Sequence, residues 1–356
     1  MIREISIDLN YQPEIPEAPV PDLYQKACSG DGVTITHWRE TWLKNYQATK
    51  DHFGTLTENT VGQLYGANRG KAAIVIGSGP SLKESLEELK RNQESEHPLL
   101  TISCMHNKGL FNDEGIKPDY YITLDAGEII FKDVYEGRKE SEEHYWDLSK
   151  DETVLAHVCT PTKFWDKWKG KAYLFNSIVP DRGIMDAYNK IERMAHNFSC
   201  GGNAAGAAMY AARVLMCSPT IIYVGMDFCF SYDNHWHSYP TETYDKVGQY
   251  VIHPDVFGIP RKTWNSYVNF KFFFDHIAKT VPGIWINASE GLLGAYLGGN
   301  LKHYKYMTLK EAITMHKMAD TLYLQTMKDG KEVEKTPFEM GELWKNPQHE
   351  MDLVAF

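Results

Sequence analysis

The chain has no C-x-x-C pair, no full G-x-G-x-x-G or P-loop signature, no internal repeat and no low-complexity tract. No apolar run approaches the roughly 18 residues that a membrane-spanning helix needs. The six cysteines (Cys28, Cys104, Cys159, Cys200, Cys217, Cys229) are scattered, which excludes the spacing of a thiolate zinc site and argues against a disulfide framework at this length. Four of them sit in or beside apolar runs, where small buried thiols belong. Basic residues are in deficit, 37 Lys and Arg against 47 Asp and Glu, for a net charge of −10. That balance argues against a nucleic-acid partner held by broad phosphate neutralisation and leaves room only for a local basic pocket. The opening Met1-Ile-Arg-Glu-Ile-Ser-Ile-Asp8 is too charged for a signal peptide. The expectation is a cytoplasmic protein without a membrane partner.

What is present is a globular composition. Within 356 residues, 43% are hydrophobic and 24% charged, enough for one large domain with extensions or for two domains. Twenty-one tyrosines and nine tryptophans can stack on rings and donate hydrogen bonds, although most belong to the core or a half-buried surface. Pro13, Pro16, Pro19 and Pro21 predict an extended entry, followed by helical spacing from Trp38 to Leu64 (Trp42, Tyr46, His52, Phe53, Leu56). Residues 1–70 therefore read as a helical N-terminal arm, 71–300 as the main domain, and 301–356 as a C-terminal helix with a polar tail.

From Lys71 the rhythm is strand–helix–strand. Strands are predicted at 72–76, 99–104, 120–125, 153–158, 172–175, 220–225 and 283–287, and helices at 82–92, 108–112, 202–216, 264–279 and 308–318. Short apolar strands alternating with helices predict an α/β fold, a Rossmann-like, largely parallel sheet with helices on both faces. The acid-rich stretch from Glu128 to Glu152 reads as a solvated helix or insertion. Ligands of such sheets bind beyond the carboxyl ends of the strands. Candidate residues are therefore those just after each strand.

The most informative stretch is Lys71-Ala-Ala-Ile-Val-Ile-Gly77-Ser78-Gly79-Pro80-Ser81-Leu82. Gly77 and Gly79 allow a sharp turn and close approach to a phosphate, Pro80 suits a first helical turn, and Ser81 adds a hydroxyl. An ordinary strand-to-helix turn is the plainer alternative. After the second strand, Asn107 either caps the next helix or reads a base edge or ribose, and His106 or Lys108 could meet a phosphate. Asp119 is expected in a turn or cap. Asp125 ends the third strand before Ala126-Gly127, placed to hold Mg²⁺ or a ribose, or to cap a loop.

Gly201-Gly202-Asn203 opens an alanine-rich helix, either as a second anion-receptive helix start or to allow close packing. Val224-Gly225-Met226-Asp227 places another carboxylate on the same edge of the sheet, which strengthens a metal–phosphate reading. His235 and His237 form an H-x-H pair. They could bind metal, act as a general base, or simply be structural. Asn287-Ala288-Ser289-Glu290-Gly291 follows the last strand with polar groups suited to a loop.

Gly77–Leu82, Pro118–Asp125, Gly201–Asn203, Val224–Asp227 and Asn287–Gly291, in this order, resemble the MptE-like family, named for an archaeal-type 6-hydroxymethyl-dihydropterin pyrophosphokinase. The resemblance spans about residues 71–295. The G-x-G-P-S loop and the G-x-D-F strand end are also similar to bacterial sialyltransferases that use a CMP-activated sugar. Flagellar motility accessory factors share the domain. The pyrophosphokinase resemblance implies attack of a substrate hydroxyl on the β-phosphorus of ATP. Gly77, Ser78, Gly79, Pro80, Ser81, Gly201, Gly202 and Asn203 would hold phosphates, Asp125 and Asp227 would hold Mg²⁺, and aromatic side chains would stack on a pterin-like ring.

The glycosyltransferase resemblance implies a CMP phosphate on the same loop. Asn107 and Asp227 would orient nucleotide or sugar, His235 or His237 would deprotonate the acceptor, and no metal would be required. A nucleotide-binding module without catalysis is the third reading. The partners implied are a nucleotide donor and a small-molecule or glycan acceptor, and a homo-oligomer is compatible with each.

Overall fold

A computed structural model describes residues 20–135, 140–179, 181–238 and 250–317, with backbone only at 20–33, 129, 132 and 133. Helix α1 (Val20–Phe53) precedes β1 (Ala73–Ile76), α2 (Leu82–Gln93), β2 (Leu100–Cys104), α3 (Lys108–Glu114) and β3 (Tyr120–Thr123). Then come α4 (Ile129–Tyr135), α5 (Glu142–Asp147), β4 (Thr153–His157), α6 (Thr162–Lys167), β5 (Lys171–Ser177), α7 (Arg182–Ile191) and β6 (Asn197–Phe198). After α8 (Ala204–Tyr210) and β7 (Thr220–Val224), a hairpin of β8 (Val251–Pro254) and β9 (Pro260–Thr263) leads into α9 (Asn265–Thr280). The described chain closes with β10 (Ile284–Asn287), β11 (Ala295–Tyr296), β12 (Gly299–Asn300) and β13 (Tyr304–Tyr306), and residues 309–317 are helical.

Nine strands form one sheet in the order β13-β10-β7-β1-β2-β3-β4-β5-β6, each pairing parallel. All residues of β1 and β7 are buried, as expected where both faces are covered. Successive side chains of β1 supply two different cores. Ile74 and Ile76 pack with Leu82 and Leu89 of α2, Phe131 of α4 and Ile184 of α7 on one face. Ala73 and Val75 pack with Ala207, Ala208 and Met209 of α8 and Phe274 of α9 on the other.

The order of strands fixes where a ligand can enter. From β1 the chain steps outward through β2 to β6, then returns to lay β7 on the other side of β1 and continues to β10 and β13. The direction of winding reverses between β1 and β7. In sheets of this type such a reversal is where ligands bind, beyond the carboxyl ends of the two strands.

All seven strands expected from the sequence are present. Two hairpins, β6 and β13 join them, together with four helices between residues 129 and 191. The acid-rich stretch is not a solvated insertion: Ile130, Phe131, Val134, Tyr145 and Trp146 bury an apolar face in the core. Pro21 lies in the first turn of α1, where a missing N–H is tolerated, rather than in an extended entry. Pro13, Pro16, Pro19, the end of the helix predicted at 308–318 and the tail lie outside the described residues.

The arm is fastened to the sheet. Asn45 donates to the carbonyls of Ala126 and Cys159 at 2.9 and 2.8 Å, and Trp165 Nε1 donates to Thr49 at 3.0 Å. Tyr46 stacks on Tyr188 with ring centroids 4.4 Å apart and donates to the Glu192 carbonyl.

Candidate functional site

The turn Gly77–Ser81 and the segment Gly225–Asp227 meet at the winding reversal. The ladder between β1 and β7 runs on past both strands: Gly77 N–H donates to Val224 O and Gly79 N–H to Gly225 O, each at 2.8 Å. A Cβ on Gly77 would lie 2.5 Å from Gly225 O, and one on Gly79 would lie 2.7 Å from it and closer still to the Asp227 carboxylate. The two glycines are thus required by the approach of the β7 segment. Gly225 itself has φ +63°, a conformation that favours glycine.

Asp227 is buried, with one carboxylate oxygen accepting from Ser81 N–H at 2.8 Å and the other from the Ser81 hydroxyl at 2.6 Å. It stitches β7 to the start of α2. Burial pushes its carboxyl above the usual range, while the two Ser81 bonds and Arg261 pull it back.

The end of β2 stands beside this turn. Asn107 is buried and donates to Gly77 O at 2.9 Å and Ser103 Oγ at 3.1 Å, while its buried Oδ1 has no partner. The side chain bolts the glycine turn to β2, and its caps-or-reads ambiguity resolves first as support for the turn. The segment 231–238 folds over the same turn. Ser238 N–H donates to Ser78 O at 2.8 Å, and His237 Nδ1 lies 3.3 Å from that carbonyl. The rings of His237 and His106 meet with centroids 3.9 Å apart. Burial, and then His106, hold His237 well below the usual imidazole range. His235 belongs to a tight turn closed by Ser231, its Nε2 3.4 Å from the exposed Asp233.

Other candidates fall elsewhere. Asp125 is exposed at the end of β3. Three strand spacings, roughly 14 Å, separate that strand from β7. With Asp227 facing Ser81, the two aspartates do not converge, and as they stand they do not fit one Mg²⁺ ion, which needs ionised oxygens around a single centre. Among the described residues no cluster of three or more His, Cys, Asp or Glu is placed to hold a metal.

Gly201 and Gly202 have φ of +58° and +76°, and Asn203 caps α8 by accepting from Gly206 N–H at 2.8 Å. A Cβ at Gly201 would enter the Phe273 ring, and one at Gly206 would strike the Cys200 carbonyl. Close packing accounts for these small residues. Lys108 does not reach a phosphate: it is buried, paired with Glu152 and 5.4 Å from the Tyr121 ring centroid. Asp119 clips strands, accepting from Thr101 N–H and its hydroxyl. Ser289 Oγ accepts from Met226 N–H at 2.9 Å, so the loop after β10 braces the Asp227 segment.

Two further charged residues lie near Asp227: Arg261, which the sequence reading missed, and Glu290, which it expected only as a loop residue after the last strand. Arg261 on β9 is buried, with its guanidinium on the Phe230 carbonyl and Asp255 and stacked 4.2 Å over Tyr232. Glu290 is held above the usual carboxylate range by burial and by Glu84 from the first turn of α2. Arg261 carries no local signal, because the register of the β8–β9 hairpin brings it there. A cavity of about 100 Å³ lies between α2 and the amino ends of β2 and β3. Asn92 and Asp119 in its lining are already engaged with backbone.

No curated protein matches the chain in sequence. The solved structure of the MAf glycosyltransferase from Magnetospirillum magneticum AMB-1 is similar in fold, with a TM-score of 0.53 at 15% identity. The likeness covers 75% of this chain but only 38% of that one, so this chain spans well under half of that protein. No described helix is long and apolar enough to cross a membrane. The family described as 6-hydroxymethylpterin diphosphokinase MptE-like matches residues 40–233, from within the arm through β7 and into the loop that carries the histidines. With more than half of its length matched, the chain belongs to the MptE-like family, a transferase-type family by its description.

Proposed function

We propose that the chain transfers a group from a nucleotide donor, held over the winding reversal between β1 and β7, to an acceptor hydroxyl that His237 deprotonates. The observation that carries this reading is the coincidence of that reversal with Gly77–Ser81, Asp227, Asn107 and the His106–His237 pair. Ser78 O can only accept, so the proton of neutral His237 resides on Nδ1 and the lone pair on Nε2. An imidazole held uncharged at neutral pH is free to accept the hydroxyl's hydrogen bond at Nε2, and its lowered basicity places the proton transfer late, once bonding to the donor has made the hydroxyl acidic.

Glycosyl transfer from a CMP-type donor is the better-supported chemistry. The acceptor O–H proton passes to Nε2, the oxygen forms a bond to the anomeric carbon, and the bond to the phosphate oxygen breaks, with CMP taking the electron pair. Pyrophosphoryl transfer from ATP is the second reading, favoured by the family description. It needs charge neutralisation that Asp125 and Asp227 do not provide in their present geometry.

Thermal unfolding with CMP or ATP, each with Mg²⁺ or with EDTA, separates the two readings. Ligand at a hundred times its Kd stabilises by about 2.7 kcal/mol. A CMP shift indifferent to EDTA supports glycosyl transfer, whereas an ATP shift that requires Mg²⁺ supports pyrophosphoryl transfer. No shift with either nucleotide at millimolar concentration would refute a nucleotide donor.

A further inference from the structure

The hairpin β8–β9 lies outside the nine-stranded sheet and has two unlike faces. Residues directly opposite each other in an antiparallel pair share a face, and the faces alternate along each strand. Val251 pairs with Thr263 and His253 with Arg261, and this face packs inward. Arg261 and Thr263 are buried, with Arg261 on the Phe230 carbonyl and the Thr263 hydroxyl donating to Phe228 O at 2.6 Å. The outer face sets Ile252 across from Lys262 and Pro254 across from Pro260, with Tyr250 just before the strand. Apart from Lys262 it is apolar.

The apolar surface continues over the turn. Phe257 and Ile259 are exposed there, and Asn300 of β12 donates to Val256 O at 2.9 Å, which brings the second hairpin alongside with Leu297 at its turn. Tyr250, Ile252, Phe257, Ile259 and Leu297 each keep between 41% and 83% of their surface open. The turn is held in place: the Asp255 carboxylate accepts from Phe257 N–H and Ile259 N–H at 2.9 Å each, and Val256 N–H donates to Gly291 O at 3.0 Å. At about 200 Å² for a fully exposed large side chain, these five residues leave about 550 Å² open. Two such patches face to face, with the prolines beside them, reach the low end of the roughly 1,200–2,000 Å² that a specific protein pair buries.

Charge favours a second copy of this chain as the occupant. With a net charge of −10, two copies repel each other over most of their surfaces. An isologous contact sets each patch against itself, so it tolerates no unmatched acid. Asp255 is the only acid from 250 to 263, and it is buried against Arg261 and the N–H groups of the turn. Residues 295–300 hold no acid either. Lys262 lies 5.1 Å from the Tyr250 ring centroid and 3.4 Å from Asn234 Oδ1, so its charge is drawn aside. The same excess of acids disfavours the anionic surface of a membrane. We infer that the outer face of β8–β9, with the turn at Leu297, is the contact of a two-fold symmetric dimer of this chain. The inner face of the hairpin holds Arg261 near Asp227, so the dimer backs the element that flanks the candidate site.

Sedimentation velocity of the full chain from about 1 to 500 µM, the range in which a small apolar interface associates, tests this. A dimer that forms within that range is expected. Ile252→Glu and Phe257→Glu, each folded by circular dichroism, should weaken it by at least about tenfold. Ile178→Glu, at an exposed apolar residue just after β5, should leave it unchanged. A chain that stays monomeric throughout overturns the inference, and so does a dimer that neither hairpin variant weakens. Co-sedimentation of a monomeric chain with phosphatidylcholine vesicles, lost in Phe257→Glu, would assign the face to lipid and overturn it as well.

Discussion

Replacing Asp227 tests whether it stitches β7 to α2 or serves as an exposed ligand. In Asp227→Ala two hydrogen bonds to a carboxylate disappear, from Ser81 N–H at 2.8 Å and the Ser81 hydroxyl at 2.6 Å. Bonds to charged groups contribute about 1.5–3 kcal/mol each, and the half-buried Ser81 side of the turn loses its acceptor. Against that, a carboxyl that burial already disfavours as an anion is removed. The expected net loss is about 2–3 kcal/mol, and Ser81→Ala, which removes one of the bonds, should lose about 1 kcal/mol.

Because the residues share a bond, the double variant should lose about 1 kcal/mol less than the sum of the single losses. Urea unfolding followed by tryptophan fluorescence measures all three. Asp227→Asn adds a pH signature. A carboxyl whose folded pKa is raised contributes fully below its unfolded pKa of about 3.9, and that contribution is lost as pH rises through the folded value. The deficit of Asp227→Asn should therefore be larger near pH 4 than at pH 7. Additive losses for the single and double variants would refute the stitch, and a deficit that does not change with pH would contradict the upward push of burial on the Asp227 carboxyl.

Gly79→Ala should destabilise by about 1–3 kcal/mol in the same assay, since the new methyl group enters the space of the Gly225 carbonyl and the Asp227 carboxylate. His157, buried at the end of β4, accepts from Cys159 N–H at Nδ1 with Nε2 2.9 Å from the Ser177 hydroxyl, and is pushed down to about 3 by loss of solvent. Its unfolded form takes up a proton near pH 6.5, so stability should fall by up to about 1.4 kcal/mol per pH unit below that value. His157→Gln should show a flatter profile between pH 6.5 and 4 in acid titrations followed by circular dichroism. Asn45→Ala, which strips one donor from each of two carbonyls, should lose about 1–3 kcal/mol and loosen α1, read as faster amide exchange in residues 40–53.

The strands of the sheet were legible because β-branched runs such as Ile74-Val75-Ile76 and Ile221-Ile222-Tyr223-Val224 are short, apolar and followed by glycine. The rim residues Gly77–Ser81, Asn107 and Asp227 were legible for the same reason, since a residue just after a parallel strand must lie on the ligand edge, whereas His237 stood out only through its H-x-H pair with His235. What those side chains do was less legible. Gly77 and Gly79 read as room for a phosphate, yet their immediate neighbour is the Gly225 carbonyl, a partner 148 positions beyond Gly77 that only strand order reveals. Asp227 read as a metal ligand because a carboxylate at a strand end looks free in sequence, whereas Ser81 occupies both of its oxygens. The acid-rich stretch misled because charge counts ignore periodicity, and five apolar residues within it bury a face. Pairing of His106 with His237 links segments 131 positions apart and leaves no local trace.

The most direct test is a crystal structure of the full chain with CMP and, separately, with ATP and Mg²⁺. The account predicts a donor phosphate oxygen about 3 Å from Ser78 N–H, the N–H groups of Gly77, Gly79 and Ser81 being taken by Val224 O, Gly225 O and Asp227, with the His106–His237 pair facing the reacting bond. A nucleotide bound away from the β1/β7 crevice, or that crevice filled by rearranged apolar side chains while nucleotide binds elsewhere, would contradict it.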